Sequence, residues 1–360
     1  MLTVEGCRQR RLNLFAKLQQ KMDTLVLADP IHLRYFANFS VDPFSSAADF
    51  GGLLILRADG TATLYYDNRL PKNIAGAFAE EKHVVSWYDG QTPGKGPRRT
   101  VLADVLSSHG GRIHDAINDP MGKEIQNIIA ELRRQKLPDE IMLMKRCMRA
   151  TEAGHAWARE NIQADLTELQ MYTGVFQACV LALGEAGIVY GDFAVSPGAS
   201  KRGGAPTLNK LKNGDMFILD YSVVVNGYRS DFTNTLVVGK NPTPDQIRLY
   251  DACRQAMANG ENELRAGIPC QQVFDAVNSA FVEAGLADHF GHHAGHGLGL
   301  GHPEDPFLVK HSNQTLLEGD VVTLEPGLYI DGIGGIRIEN NYLITEKGFE
   351  TLSNHQIALI

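Results

Sequence analysis

The strongest constraint on this chain is a pair of acids either side of a tight turn. Gly214-Asp215-Met216-Phe217-Ile218-Leu219-Asp220 and Tyr228-Arg229-Ser230-Asp231-Phe232-Thr233 are two β-prone runs flanking Asn226-Gly227. Asn-Gly favours a two-residue hairpin turn whose twist matches the strands it joins. With Asn226 and Gly227 as the loop, Ser222 faces Asp231, and Asp220 lies two residues along on the same face. Two carboxylates on one face of a mostly apolar ribbon repel each other and lose hydration. The arrangement calls for a cation to hold them together.

The pattern returns later in the chain. Leu211-Lys212-Asn213-Gly214-Asp215, four more residues and Asp220 is matched by Leu316-Leu317-Glu318-Gly319-Asp320, four more residues and Glu325. Downstream, Arg229-Ser230-Asp231 is matched by Arg337-Ile338-Glu339, and the longer Gly-rich turn from Asp331 to Gly335 absorbs the difference in spacing. Two similar αβ halves packed face to face, each offering a carboxylate pair, would produce such a repeat. Between the halves lies Gly291-His292-His293-Ala294-Gly295-His296-Gly297-Leu298-Gly299-Leu300-Gly301-His302-Pro303, and six of the twelve histidines fall between His289 and His311. Glycine lets backbone approach closely, and imidazole is a nitrogen ligand of transition metals. Four acids and a histidine would suit two divalent ions, which sit about 3.5–4 Å apart in such sites and share an activated water. A single strand Asp or loop His is more often structural; the combination favours metal. His289 and His311 stay structural, and Cys179 and Cys253 fall on apolar helical faces as core.

The rest of the chain supplies the frame. Residues 1 to about 135 alternate helix and strand as a small α/β domain: a helix over Arg8–Lys21 with Leu12, Phe15 and Leu18 on one side, a strand from Thr24 to Ala28 stopped by Asp29-Pro30, strands over 52–56 and 62–66 around Ala58-Asp59-Gly60, a helix from Thr100 to Ser108 and a strand over Arg112–His114. It carries no Gly-rich phosphate loop and no cysteine or histidine cluster, so no catalytic chemistry is expected there. The composition turns charged around Arg133 to Asp139, where Pro138 would end one helix and Asp139 cap the next. The expected domains are 1–137 and 138–360. In the second, helices are expected from Glu140 to Asn161, after the acid cap Asp165-Leu166-Thr167-Glu168, from the capping box Thr243-Pro244-Asp245-Gln246 to about Arg265, and from Pro269 to a stop at Gly285. Strands are expected over 192–196, the opening hairpin, 321–325, 335–341 and 342–345. Helix pairs alternating with antiparallel strands make the domain α+β.

Composition narrows the classes further. The formal net charge of −8 argues against a general nucleic-acid surface, and 44% apolar with 21% charged residues is ordinary for a globular protein. The five scattered cysteines suggest reduced thiols and a cytoplasmic setting. No stretch approaches the length of a membrane span, and Met1 to Phe15 has no signal-peptide core, so neither membrane nor export is expected.

On these residues the sequence resembles the pita-bread metallopeptidases, the family of methionine aminopeptidase, aminopeptidase P and prolidase. The matching segments are Gly295-His296-Gly297-Leu298-Gly299, Leu324-Glu325-Pro326-Gly327-Leu328-Tyr329 and Gly335-Ile336-Arg337-Ile338-Glu339-Asn340. Residues 1–135 look like the creatinase-type N-terminal domain, and Arg133, Lys136 and Glu140 fit the family's inter-domain helix start. The resemblance implies a pita-bread C-terminal domain and the ligand set Asp220, Asp231, His296, Glu325 and Glu339 around two divalent ions (Mn, Co, Zn or Fe, with Mn favoured). It implies Glu325 as general base, His292 as a substrate contact, His302 as the stabiliser of the tetrahedral intermediate and Arg337 as a further substrate-binding residue beside the last ligand. With its N-terminal domain the chain is most similar to the proline-specific branch: enzymes that hydrolyse the N-terminal Xaa-Pro bond of dipeptides or short peptides, usually as homodimers.

The sequence departs from the family at four places. The histidine usual before the first Asp strand is missing from Ser200-Lys201-Arg202-Gly203-Gly204-Ala205-Pro206. His302 follows His296 one residue sooner than usual. The family's Asp-x-Gly is Asp220-Tyr221-Ser222, and its Thr-Arg-Thr is Thr233-Asn234-Thr235. These changes leave room for a second expectation, a hydrolase or lyase of the same fold acting on a small non-peptide substrate. A non-catalytic binding homologue is a third, disfavoured because every ligand position is retained.

Overall fold

The structure is a computed structural model that describes residues 1–19, 21–40, 52–69, 74–117, 120–239 and 241–360. The chain forms two compact units, Met1–Arg133 with Leu137–Asp139, and Arg134–Lys136 with Glu140–Ile360.

The first unit is built on a sheet of β1 (Thr24–Leu27), β2 (Leu53–Arg57), β3 (Ala62–Asp67) and β4 (Glu81–Val85) in that order, antiparallel except for the parallel pair β3 and β4. Its helices are α1 (Val4–Lys17), α2 (Pro30–Ala37), α3 (Ala103–Ser108) and α4 (Pro120–Arg134). Asp29 stops β1 and caps α2, accepting from the Ile31 amide at 2.8 Å. α1 starts earlier than expected because Thr3 caps it. Its buried face includes Arg10 and Arg11, each 1% exposed. Arg10 Nε donates to Tyr35 O at 2.7 Å and Arg11 Nε to Phe36 O at 2.9 Å, in the last turn of α2, where carbonyls lack helical partners. Asp139, expected as a cap, lies inside α5 (Pro138–Asn161) and takes the Arg10 guanidinium at 2.9 Å. A buried guanidinium needs a counter-charge more than a helix end needs a cap. The expected strand at Arg112–His114 is irregular backbone, in which the His114 side chain accepts from the Val26 amide at 3.0 Å. β4 carries no apolar alternation by which sequence could have found it.

The second unit contains α5 from Glu140 onward, α6 (Glu168–Leu183), α7 (Pro244–Glu261) and α8 (Cys270–Glu283). Thr167, rather than Asp165, caps α6 in a capping box with Gln170. The box at Thr243 and Gln246 forms as expected, and α7 ends at Glu261. One sheet centres on β6 (Met216–Val225), with β5 (Ile188–Val195) on one side and β7 (Tyr228–Arg229) and β8 (Phe232–Val237) on the other, all antiparallel. Asn226 and Gly227 have φ of 54° and 87°, as the tight turn requires. Asp220 pairs with Thr233 in the expected register, and Ser222 Oγ donates to Asp231 Oδ1 at 3.3 Å. The other strands are β9 (Gly295–Gly297), β10 (Glu304–Leu308), β11 (Val321–Leu324), β12 (Gly327–Ile330), β13 (Gly334–Arg337), β14 (Asn340–Ile344) and β15 (Phe349–Thr351). They form a sheet of order β10-β9-β11-β14-β15 and the hairpin β12-β13. The mixed α+β architecture is the expected one.

The repeat is structural, bond for bond. Lys212 N donates to Asp215 Oδ2 at 2.8 Å, and Leu317 N to Asp320 Oδ2 at 2.8 Å. Gly214 N reaches Val238 O at 2.8 Å, and Gly319 N reaches Ile344 O at 3.0 Å. Both glycines have φ of 90°, a conformation that favours glycine. Leu211 N donates to Leu166 O at 2.8 Å, and Leu316 N to Ile268 O at 2.9 Å, so each turn is tied to the start of its half's second helix. Separate apolar clusters fill the halves, one around Phe193, Phe217 and Tyr221, the other around Phe281, Leu324 and Ile336. Among the described residues no helix is long and apolar enough to cross a membrane.

A buried histidine, His155, and a half-buried one, His355, brace β8 behind the acids. His155 Nε2 pairs with Phe232 O at 3.2 Å and His355 Nε2 with Thr233 O at 3.1 Å, their rings 4.7 Å apart. Burial keeps both neutral: it lowers His155 well below its ordinary value and His355 to about 4. A depressed folded pKa means that the unfolded chain takes up protons first as pH falls. The stabilisation is therefore complete above about pH 6.5 and is lost on descent toward pH 4, His355 alone accounting for about 2 kcal/mol by pH 5. In denaturant melts, His355→Gln, which keeps a donor but does not titrate, should lose about 2 kcal/mol less stability than the parent between pH 7 and 5.

Candidate metal centre

The two halves bring all five expected ligands to one cleft of about 350 Å³. Asp220 lies inside β6, and Asp231 where the chain leaves β7. His296 is the middle residue of β9, Glu325 follows β11, and Glu339 sits between β13 and β14. His296 Nε2 stands 3.6 Å from Asp231 Oδ2 and 3.5 Å from Glu325 Oε1. Ligating atoms of Asp220, Asp231 and Glu339 all lie within 4.8 Å of one another. A ring of neutral groups fixes these side chains. His296 Nδ1 pairs with Gly297 O at 2.9 Å, which leaves Nε2 as a lone-pair donor. Thr323 Oγ1 accepts from the His296 amide at 3.2 Å and donates to Glu325 Oε1 at 3.2 Å. Thr233 Oγ1 donates to Glu339 Oε2 at 2.6 Å, and Asn341 Oδ1 accepts from the Asp231 amide at 3.1 Å.

The electrostatics are those of a cation site. Burial and the charges of Asp231, Glu325 and Asp220 hold the Glu339 carboxyl well above its usual range. Asp220 is pushed up to about 6 by burial and by Asp231, Asp192 and Glu325, against the opposing charge of Arg337. Glu325 goes the other way: burial would raise it, but the hydrogen bond and charge of His293 win. Among the described residues the buried Glu339 Oε1 has no hydrogen-bond partner. An orphaned carboxylate oxygen among three other acids and an imidazole nitrogen fits a divalent ion.

The other expected residues line the same cleft. His302 Nε2 lies 2.6 Å from Asp231 Oδ2. His292 Nε2 lies 3.3 Å from the Tyr329 hydroxyl, and burial lowers its pKa to about 4, so it presents a neutral ring. Arg337 donates to Tyr329 Oη at 2.7 Å, to Asp192 Oδ2 at 2.8 Å and to Asp220. Sequence reasoning missed His293, whose Nε2 sits 3.0 Å from Glu325 Oε1. Its place in the His-rich loop was the available signal. It also missed Asp192, because a lone acid on a strand carries none.

The sequence model of metallopeptidase family M24 matches residues 142–346. An uncharacterized peptidase of Staphylococcus haemolyticus is 27% identical over 93% of this chain and 96% of its own. The solved prolidase of Thermococcus sibiricus is similar with a TM-score of 0.78 at 25% identity, covering 98% of each chain. A dipeptidase of Mycobacterium ulcerans gives 0.76 at 25% identity, covering 100% of this chain and 99% of that one.

Removing one acid should separate repulsion from ligation. In chelated protein, Glu339→Gln should melt at the same temperature as the parent or higher, because the cost of burying a fourth acid, as a charge or as a carboxyl forced to take up a proton, is gone. Divalent ion should raise the parent's melting temperature and the variant's by much less. A variant that is destabilised without metal yet gains as much from metal as the parent would contradict the assignment.

Proposed function

The chain belongs to metallopeptidase family M24, and on that footing we propose that it hydrolyses the N-terminal Xaa-Pro bond of dipeptides or short peptides. The observation that carries the proposal is the convergence of four carboxylates and His296, with Glu339 Oε1 left unpartnered. Proline specificity draws support from the likeness to a prolidase over both units.

Asp220, Asp231, His296, Glu325 and Glu339 would hold two divalent ions. When bound, the ions polarise the scissile carbonyl and lower the pKa of water. Glu325 takes the proton of the attacking water and passes it to the leaving nitrogen. His302 donates to the carbonyl oxygen as it gains charge. Burial would discharge His302, but the hydrogen bond and charge of Asp231 outweigh it, so its pKa is raised. His292 meets the substrate as a neutral ring, and Arg337 forms the cleft wall beside it. Manganese as the native ion, a homodimer and a cytoplasmic location belong to the same proposal. The five free cysteines are compatible with a reducing compartment.

The second reading, a small non-peptide substrate, is favoured by one observation: the loop where a histidine was expected carries Arg202 into the cleft. Protein loaded with Mn or Co should release proline from an Xaa-Pro panel. Glu325→Gln should lower kcat by about 10²–10⁴-fold, and Asp231→Ala should abolish turnover together with metal retention. An inert peptide panel beside a strong small-molecule hit would favour the second reading.

A further inference from the structure

Two arginines line the cleft, and their surroundings differ. Arg337 is buried and committed to Asp192, Asp220 and the Tyr329 hydroxyl. Arg202 donates to Gly291 O at 3.1 Å and lies over the Tyr329 ring, 5.2 Å from its centroid. Among the described residues no carboxylate comes within 4 Å of its guanidinium. If two dications offset the four ligand carboxylates and Arg337 offsets Asp192, Arg202 is left as a positive charge facing the cleft.

We propose that Arg202 binds the carboxylate of the substrate, specifically the free C-terminus of a dipeptide. This rests on the peptidase reading above. The guanidinium has four further N–H donors in a planar fork that matches a carboxylate. Its backbone is pinned on both sides. Ser196 Oγ donates to Lys201 O at 2.6 Å, Phe193 N to Gly204 O at 2.9 Å, and the Ser200 amide to Asp331 Oδ1 at 3.0 Å. Gly203 allows the loop to lie against Asp192, since a Cβ there would fall 2.1 Å from Asp192 Oδ2. The carboxylate that occupies Arg337 thus also seats the loop that presents Arg202.

Position supports the same assignment. His293 touches Glu325, His292 lies next to His293, Tyr329 touches His292, and Arg202 covers Tyr329. Arg202 and the general base thus line the same cleft. With the scissile carbonyl at Glu325, the C-terminal carboxylate of a dipeptide lies one residue, roughly 3.3–3.6 Å, beyond it in that cleft. Arg202 then selects for short peptides by anchoring the end of the chain.

The test compares an Xaa-Pro dipeptide, its C-terminal amide, and an amidated Xaa-Pro-Glu tripeptide, on metal-loaded parent, Arg202→Ala and Arg202→Lys. Metal content and melting temperature serve as controls. Arg202→Ala should raise KM for the free dipeptide about tenfold or more, with kcat moved much less, and should shift KM for the amide less than threefold. Arg202→Lys, which keeps the charge but not the fork, should fall between. Equal effects on acid and amide would overturn the proposal. An effect confined to the tripeptide would also overturn it, by moving the recognised carboxylate to a side chain. Calorimetric titration of metal-loaded Glu325→Gln with the dipeptide and its amide, with and without Arg202→Ala, decides the point without turnover. If no peptide is cleaved, the Xaa-Pro reading fails by itself, while a preference for acid over amide that vanishes with Arg202 sustains the anchor. No preference overturns it.

Discussion

Repulsion among Asp220, Asp231, Glu325 and Glu339 is the interaction around which the second unit is arranged. Four carboxylates share one cleft, two of them at 1% and 7% exposure, Glu339 and Glu325 respectively. Their proton affinities are driven apart, with Glu339 and Asp220 raised and Glu325 lowered. Such a cluster loses more hydration than the few neutral donors, Ser222, Thr233 and Thr323, replace, and it persists only because the surrounding fold over-determines it. Cations turn the same cluster from a cost into a binding site.

What over-determines it is duplication. Each half makes the same Leu-x-x-Gly-Asp turn, closed by the same side-chain acceptor and the same left-handed glycine. Each turn launches a strand that delivers an acid at the same distance. Thr233 and Asn341 from neighbouring strands, and Thr323 from the end of the strand leading into Glu325, then hold the acids' oxygens and backbone. The rigidity lies in these neutral bonds, which leaves the charged atoms free for ligation.

Much of this was legible beforehand, for physical reasons. The hairpin register followed from Asn226-Gly227, because only one turn type suits that dipeptide between strands. The repeat could be read because its turn needs Gly and Asp at fixed places. The ligands followed from the repeat and from the resemblance it anchors. Arg10 and Arg11 defeated a pattern argument that assigns charge to the surface, since their burial depends on carbonyls and acids distant in sequence. β4 and the irregular segment at Arg112–His114 are set by pairing partners rather than local preference. Asp192 and His293 gain meaning only from what stands across the cleft. Arg202 was visible as a departure, but that no carboxylate among the described residues pairs with it is a fact of three dimensions.

On the proposed reading, the paired halves would hold two ions close together. Electron paramagnetic resonance of chelated protein titrated with Mn(II) tests it most directly. Two ions per chain should be taken up, with the spectrum of an exchange-coupled pair growing as the second is added. The spectrum of isolated Mn(II) at saturation, with one ion or fewer per chain, would contradict it.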